Sequence, residues 1–370
     1  MTSVANVNGE ACSRDSEWSM TAGKAECSPY CRSNRLTQID EPYRATGDRS
    51  PFLLPLQQGR VIVGAAPITR RRIVPVPLTQ QQIDQYYNDG YFIVRGALSG
   101  EDFAPLEAAY SEVIDERIRD FKARGLIEDL YEYEPFATRF ARIHDQIKVD
   151  DKDLRRELSW GLDIMHAKLP AVFEFFFTPN LLAPVESIIG PEIMLSPIQH
   201  IRPYVPVTGD SQPMQVPWHQ DQGVTKEEAD VSEILTVWIP MVDVDENSGC
   251  LEVIPGQTNL LEHQAEGGTM IKPHLMPDAK PVDCVMSRGD LLFMSAYTPH
   301  RGHTNRSDYV RWSMDLRFQK TGTPTGRPVH PEFILQSKAD PDSVQDSYVE
   351  WCERWEAGLE AGKGVRHHRV

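Results

Sequence analysis

A histidine and an aspartate stand two residues apart in the stretch WHQDQG, residues 218–223. If this stretch is a β-strand, His219 and Asp221 point to the same side of it and present an imidazole and a carboxylate to one space. Such a pair could bind a metal ion. The signal is weak alone, because a chain with 11 histidines should contain about one His-x-Asp pair by chance. A polar loop at the surface gives the same pattern.

A second segment, residues 289–318, supplies further groups that such a site needs. The Gly289-Asp290 dipeptide predicts a turn, and the apolar run after it predicts a strand that ends at His300. A polar turn follows, and a further strand begins near Arg311. The segment therefore brings a second imidazole to the end of a strand.

The strand that begins near Arg311 carries charge on one face. The side chains on that face are Arg311, Ser313, Asp315 and Arg317. A charged face is typical of a cavity wall, and equally of an exposed side of an amphipathic strand. Two histidines and one carboxylate on a β scaffold form the facial triad of non-haem iron(II) oxygenases. An arginine deeper in such a cavity would hold the far carboxylate of a 2-oxo acid through paired hydrogen bonds.

The elements that must position these groups change character along the chain. Thr79 and Gln82 predict a capping box for a helix that ends at Gly90, and a second helix is expected from Ser99 to about Arg124. Further helices are expected near 152–166 and 179–189, and a last one over 341–358. Residues 126–150 show no clear period and are interpreted as a loop or lid.

Short β-type runs follow Gly190, separated by Pro, Gly, Asp and Asn. Runs at such intervals favour a β-sandwich or barrel, so the predicted fold class is mainly β with flanking helices. The predicted division is a disordered extension at 1–50, a linker at 51–77, one domain at 78–340, and a C-terminal helix and tail at 341–370. Within the domain, 78–190 is the helical part and 191–320 the β core.

Composition excludes several classes of function. Acidic residues outnumber basic ones by 54 to 38, and the formal charge of −16 disfavours nucleic acid and anionic lipid as partners. We find no apolar run long enough to span a membrane and no secretory signal. The six cysteines are interpreted as reduced thiols. The sequence therefore predicts a cytoplasmic protein, and we also expect a monomer or weak homo-oligomer.

Five motifs resemble the phytanoyl-CoA dioxygenase family of iron(II)/2-oxoglutarate oxygenases, in the family's order. They are LTQQQIDQYYNDGYFIVRGALS, IGPEIM, WHQD, VWIPMVDVDENSGCLEVIPG, and GDLLF with HRGHTNRSDYVR. The resemblance spans roughly residues 78–320. It implies a double-stranded β-helix, or jelly roll, with helices packed outside, and the cofactors iron(II), 2-oxoglutarate and O2.

The resemblance also implies roles for single residues. It implies His219, Asp221 and His300 as catalytic metal ligands, Arg311 as the residue that binds 2-oxoglutarate, and Trp238, Gln220 and Gln199 as further contacts of the co-substrate. One departure is Gly302, where the family often has Ser or Thr in contact with 2-oxoglutarate. His303 competes with His300 as a ligand and is one candidate to replace that contact.

Other residues receive interpretations from their position alone. The lids expected over the substrate are 126–150 and 259–283. In the first of them, the candidate substrate contacts are Tyr131, Tyr133, Phe136 and Arg139, although loop packing explains them equally well. The histidines expected at the surface are His274, His330, His367 and His368.

The resemblance implies hydroxylation of an unactivated C–H bond in a small organic substrate, with release of succinate and CO2. Acyl-CoA or lipid, an amino-acid derivative and a natural-product intermediate stay open as substrates. Two other functions stay open: a catalytically silent jelly-roll binding protein, and a zinc-dependent hydrolase on the same triad.

Overall fold

The computed structural model describes most of the chain from residue 75 onward. The described ranges are 75–207, 216–264 and 269–369. The predicted extension at 1–50 and nearly all of the predicted linker at 51–77 lie outside them, together with three of the six cysteines. The three cysteines within the described ranges are buried and form no disulfide: Cys250, Cys284 and Cys352.

More of the described residues lie in helices than in strands. The helices are α1 Gln80–Asp89, α2 Gly100–Ala123, α3 Phe136–Asp145, α4 Lys152–Ser159, α5 Ile164–Ala167, α6 Pro170–Phe175, α7 Pro179–Ile189, α8 Asp221–Val224 and α9 Tyr348–Ala361. The architecture is therefore mixed helix and antiparallel sheet, and the prediction of a mainly β fold is wrong in this respect. Short helices without a visible sequence period account for the difference.

Two antiparallel sheets form the β part of the fold. The strands are β1 Tyr91–Val94, β2 Ile193–Leu195, β3 His200–Tyr204, β4 Leu235–Pro240, β5 Leu251–Val253, β6 Val282–Cys284, β7 Leu291–Ser295, β8 His300–Gly302, β9 Arg311–Lys320 and β10 Phe333–Gln336. The larger sheet has the order β1-β7-β4-β9-β2-β10, with β3 also paired to β9, and the smaller has the order β6-β5-β8. The long strand β9 is the centre of the larger sheet.

The first two helices agree with the sequence signals. Thr79 and Gln82 form the predicted capping box, and Gly90 ends α1 with φ +78°. In α2, Ser99 is the N-cap residue, and its backbone N–H donates to Asp102 at 2.7 Å. The apolar stripe of α2 is buried in the core, as its helical spacing predicts.

Residues 126–150 are not the predicted loop or lid, because they contain α3. Phe136 stacks on Trp312 with ring centroids 4.8 Å apart, and Arg139 pairs with Asp115 at 2.6 Å. Tyr133 is fully exposed. None of the four substrate contacts proposed for this segment lines the cavity described below. The ten-residue helix is too short to show a repeat, so the helix was missed, although packing was the alternative given for these side chains.

Two further helices differ from the predicted limits. The helix expected near 152–166 is broken between α4 and α5, where Gly161 takes φ +74°. The last helix begins at Tyr348, capped by Ser347, instead of at 341. Its Trp351 and Trp355 are fully buried, as expected for a helix that packs back onto the body.

The Gly289-Asp290 turn leads into β7 and is hydrogen bonded to the segment that follows β1, the strand paired with β7. Asp290 accepts hydrogen bonds from the backbone N–H of Gly96 at 2.8 Å and from Arg95 at 2.7 Å. Gly289 has φ +99°, and its carbonyl accepts from the backbone N–H of Leu98 at 2.9 Å. A Cβ at Gly289 would lie 2.2 Å from the Leu98 carbonyl oxygen. The turn therefore requires glycine for both its conformation and its close contact.

We expect Gly289→Ala to lower the free energy of unfolding by about 2–4 kcal/mol, because strain and a backbone clash add together. Gly96→Ala is the matched control: Gly96 also has positive φ, at +59°, but no heavy atom lies within 4 Å of its added Cβ. We expect about 1 kcal/mol there. Denaturant unfolding of both variants checks this, and equal losses would contradict the role of the contact.

Candidate functional site

A cavity of about 520 Å³ is lined by residues from both sheets. The larger sheet contributes side chains of β3, β4, β7 and β9, and the smaller sheet contributes those of β5 and β8. His219, Asp221 and His300 all line it, as does Arg311. The residues singled out from two distant segments of the sequence therefore meet in one space.

His219 and His300 are joined through their backbones. The N–H of His219 donates to the carbonyl of His300 at 3.1 Å, and the reverse bond measures 2.9 Å. Their ring centroids lie 4.1 Å apart. Asp221 does not continue a strand, as the two-residue spacing assumed, but begins the short helix α8. It still faces the same space, because the chain turns directly after the bridge.

Hydrogen bonds orient both imidazoles. Nδ1 of His219 lies 2.9 Å from the carbonyl oxygen of Pro217, and Nδ1 of His300 lies 3.0 Å from that of Thr298. A carbonyl accepts only, so each Nδ1 carries a proton, and in the neutral imidazole Nε2 then has the free lone pair. Burial, with repulsion from His300, lowers the pKa of His219 to about 3. The neutral imidazole that metal binding needs is therefore the stable form at neutral pH.

Asp221 is a buried carboxylate, with only 1% of its surface exposed. Thr236 Oγ1 donates to its Oδ2 at 2.5 Å, and Arg317 Nη2 donates to its Oδ1 at 2.5 Å. Burial alone would raise the pKa of Asp221, but the Arg317 guanidinium outweighs it and holds that pKa well below the usual range. The carboxylate therefore stays ionised. The sequence placed Arg317 on the charged face of β9 but gave it no role.

One donor atom from each of His219, Asp221 and His300 lies within 4.8 Å of the other two. Two imidazole nitrogens and one carboxylate oxygen form the donor set that suits iron(II) and leaves coordination positions open. The lone pairs face the cavity, and the outer hydrogen bonds are in place. The three residues therefore fit a divalent metal ion as they stand.

His303, the competitor of His300, is directed elsewhere. Its Nε2 lies 2.6 Å from Asp283 Oδ1, and it belongs to a second group with Asp283 and Cys250. Burial raises the pKa of the Cys250 thiol to about 12, so this sulfur is protonated at neutral pH. The imidazole of His303 is occupied by its carboxylate partner. His300 is the histidine that shares the space with His219.

Arg311 is a buried cation without a carboxylate partner among the described residues. It is 6% exposed, and its guanidinium carbon lies 4.5 Å from the ring centroid of Tyr204 and 5.4 Å from that of Trp238. Nη1 donates to Ser313 at 2.7 Å, while Nε is buried and has no hydrogen-bond partner. Burial lowers the pKa of Arg311 to about 10, so it remains charged. This is an environment prepared for an anion.

Of the three other residues predicted to contact the co-substrate, one lines the cavity and two do not. Trp238 lines the cavity beside Arg311. Gln220 does not, because its Nε2 donates to the carbonyls of Asn259 and Tyr297 and its Oε1 accepts from the N–H of Leu261. This side chain holds the segment after residue 258 in place. Gln199 is also outside the cavity lining, fully buried and bonded to the Ser196 carbonyl at 3.3 Å.

Sequence reasoning missed several cavity residues near the end of the chain. Arg327 lines the cavity, and so does His368, an exposed residue that had been expected merely at the surface. His368 reaches the cavity because the last described residues pack beside α8, where its Nδ1 lies 3.2 Å from the Val224 carbonyl oxygen. Of the predicted lid at 259–283, the described part contributes Thr269 to the lining. No local sequence pattern marks these positions.

Comparison with known proteins shows the family to which this chain belongs. The family model described as "Phytanoyl-CoA dioxygenase (PhyH)" matches residues 86–313, more than half of the chain. The peroxisomal phytanoyl-CoA dioxygenase of Mus musculus is 24% identical over 253 residues, which cover 65% of this chain and 68% of that protein.

Two solved structures are also similar to this chain. One is the epimerase SnoN in complex with Fe3+, alpha ketoglutarate and nogalamycin RO, with TM-score 0.45, 19% identity and coverage of 66% of this chain and 86% of that one. The other is an apo non-heme monooxygenase, ThoJ, with TM-score 0.49, 16% identity and coverage of 76% and 96%. Within the described ranges, no helix is long and apolar enough to cross a membrane. The family match identifies the chain: it belongs to the phytanoyl-CoA dioxygenase family of iron(II)- and 2-oxoglutarate-dependent dioxygenases.

Proposed function

We propose that this chain hydroxylates an unactivated C–H bond of a small organic substrate and converts 2-oxoglutarate and O2 into succinate and CO2. The observation that carries the proposal is that one cavity holds a complete ligand set together with a buried arginine that has no carboxylate partner among the described residues. The ligands suit iron(II), and the arginine suits the far carboxylate of a 2-oxo acid.

In this proposal His219, Asp221 and His300 hold iron(II), and Arg311 binds the distal carboxylate of 2-oxoglutarate. Trp238 and Tyr204 pack around the Arg311 guanidinium and exclude water from it. When bound, the metal supplies activation of O2, driven by oxidative decarboxylation of the co-substrate. The chain's own part is to fix the reactants and keep the substrate C–H bond close to the metal position.

The proposed scaffold is a double-stranded β-helix within a single domain at 78–340. The pairing of β1 with β7 supports one domain, because it joins the helical N-terminal part to the β core. His300 begins β8 of the smaller sheet and Arg311 begins β9 of the larger sheet. A site assembled from both sheets is what a jelly roll provides.

The hydrolase alternative requires a general base beside the metal. Apart from Asp221, the described cavity lining holds one carboxylate, Asp315, and its Oδ2 is paired with Arg317 at 3.2 Å. A carboxylate bound to a guanidinium is a weak base. Neither lining carboxylate is therefore suited to this role, and a hydrolase would have to use His200 or His368, which also line the cavity. The buried Arg311, for which a hydrolase has no use, favours the oxygenase.

Succinate release tests the proposed function. We expect succinate to form from 2-oxoglutarate only when iron(II) and O2 are both present, and His219→Ala to abolish it. Arg311→Gln should raise the 2-oxoglutarate concentration for half-maximal rate by about 10- to 100-fold, because a charge-assisted contact is lost. Arg124→Gln, at an exposed ion pair with Glu157, is the control. Succinate formation without iron, or an unchanged Arg311→Gln variant, contradicts the proposal.

Thr236 should control metal affinity through Asp221. We expect Thr236→Val to weaken cobalt(II) binding about 10-fold, because the carboxylate loses the hydroxyl that orients it. Thr236→Ser keeps the hydroxyl and should bind as the wild type does. Competition with a chelator measures both, and a Val variant with wild-type affinity would show that Arg317 alone orients Asp221.

Gly302 offers room for the hydroxyl that the family often has at this position. A Cβ there would lie 3.8 Å from Leu251 Cδ2 and 4.0 Å from Arg311 Nη2, both ordinary contacts. We expect Gly302→Ser to tighten 2-oxoglutarate binding by about 5-fold through one added hydrogen bond. Gly302→Ala, which adds only the methyl group, should not. Calorimetric titration compares the two, and equal affinities would place the co-substrate elsewhere.

A further inference from the structure

Arg327 is a second buried arginine of the cavity wall that forms no ion pair with any acidic residue in the described part of the chain. It is 6% exposed and lies on the segment that follows β9. Its Nη1 donates to the carbonyl oxygens of Gly326, at 3.1 Å, and His367. Its Nε and Nη2 make no hydrogen bond to any described residue, and no described carboxylate forms an ion pair with it. These donors remain available to the cavity that Arg327 lines.

The fold holds Arg327 in place. The preceding Gly326 has φ +70°, and a Cβ there would lie 2.8 Å from Thr225 Cβ and 2.9 Å from the backbone N of Lys226. The backbone N–H of Arg327 donates to Thr325 Oγ1 at 3.2 Å. The loop is thus pressed against the residues that follow α8. A guanidinium on such a loop is already positioned before a ligand arrives.

The charges that line the cavity do not balance without a further anion. The buried cations are Arg311, Arg317 and Arg327, and the carboxylates are Asp221 and Asp315. A divalent metal ion adds two positive charges, and 2-oxoglutarate brings two negative ones. Two positive charges then remain among the described lining residues, and one of them belongs to Arg202, which is exposed. Since Arg317 is bound to both carboxylates and Arg311 is assigned to the co-substrate, the buried positive charge in excess lies at Arg327.

Burial, together with repulsion from Arg317, lowers the pKa of Arg327 to about 10. The group is still charged at neutral pH. An unpaired cation in a largely dehydrated place is unfavourable, and an anionic ligand would relieve that cost. Apolar side chains of Ile198, Val224 and Met294 line the same cavity and suit the carbon part of such a ligand.

We propose that the substrate carries an anionic group, a carboxylate or a phosphate, which Arg327 binds. The inference rests on the proposed function, because the charge balance counts the metal ion and 2-oxoglutarate as bound. It narrows the substrate to molecules with an acidic group at one end and an apolar portion near the metal position.

Matched pairs of acids and neutral analogues test this binding. The full chain is loaded with cobalt(II), which does not turn over, and saturated with 2-oxoglutarate so that Arg311 is occupied. The probes are octanoate against octanamide, phenylacetate against phenylacetamide, and hexyl phosphate against hexanol, each titrated calorimetrically. We expect at least a 10-fold preference for the anion in one or more pairs. The carboxylate and phosphate pairs show which group the site takes.

Three variants separate recognition from structure. Arg327→Gln should abolish the preference, and Arg327→Lys should keep part of it because the charge remains. Arg369→Gln removes an equal charge close by, from a residue whose guanidinium is already paired with Asp230, and should leave the preference unchanged. Unchanged 2-oxoglutarate affinity in all three variants verifies that the site is intact.

The two proposals can fail separately. If 2-oxoglutarate binds only with metal and through Arg311, but no anion is preferred over its neutral partner in any pair, the anionic substrate is wrong and the proposed function stands. Retention of the preference in Arg327→Gln likewise overturns the role of Arg327. If 2-oxoglutarate does not bind while anions are preferred through Arg327, the proposed function fails and the anion site stands.

Discussion

The site depends on keeping one carboxylate ionised in a buried place. Asp221 is almost fully buried, and a carboxylate there would take up a proton unless a positive charge compensated it. Arg317 supplies that charge, and Thr236 fixes the orientation of the second oxygen. A pair of this kind gains little net stability, because both charges lose their hydration. In the proposed site its role is functional, since a carboxylate that is to bind a metal ion must be deprotonated before the ion arrives.

The scaffold explains how groups from distant parts of the sequence come together. Arg317 and Arg311 share the cavity face of β9, and β4, which carries Thr236 and Trp238, pairs directly with β9. The backbone bridge between His219 and His300 ties the smaller sheet to the segment that precedes α8. Two cations, one carboxylate and two imidazoles are therefore fixed by hydrogen-bonded backbone. Because the groups are held before ligands bind, binding costs less conformational entropy.

Part of the central group could be predicted from local spacing, because the alternation along β9 placed Arg311 and Arg317 on one face. The strand spacing assumed for His219 and Asp221 is not what brings them together, since Asp221 begins α8, and His300 was found from a separate segment. The helices α1 and α2 carry explicit capping signals, and both form as expected. The sequence motifs also gave the correct family, because several of them occur in one order.

What could not be predicted depends on long-range packing. Arg327 and His368 reach the cavity only because the loop after β9 and the last described residues pack beside α8, and no local period records that. The resemblance assigned Gln220 to the co-substrate because it lies between His219 and Asp221, yet its amide is used by three backbone groups. Helix α3 was mistaken for a lid, because its apolar face matches Trp312 on a strand far away in sequence.

The most direct test of the central claim is an anaerobic titration of the metal-free protein with iron(II) and then 2-oxoglutarate, followed by visible absorption. Chelation of the ion by the 2-oxo acid gives a charge-transfer band and needs no knowledge of the substrate. We predict that the band appears in the wild type and is lost in His219→Ala, while unfolding remains cooperative in both. A folded wild-type protein that binds iron(II) but gives no band would contradict the assignment of this cavity as an iron and 2-oxoglutarate site.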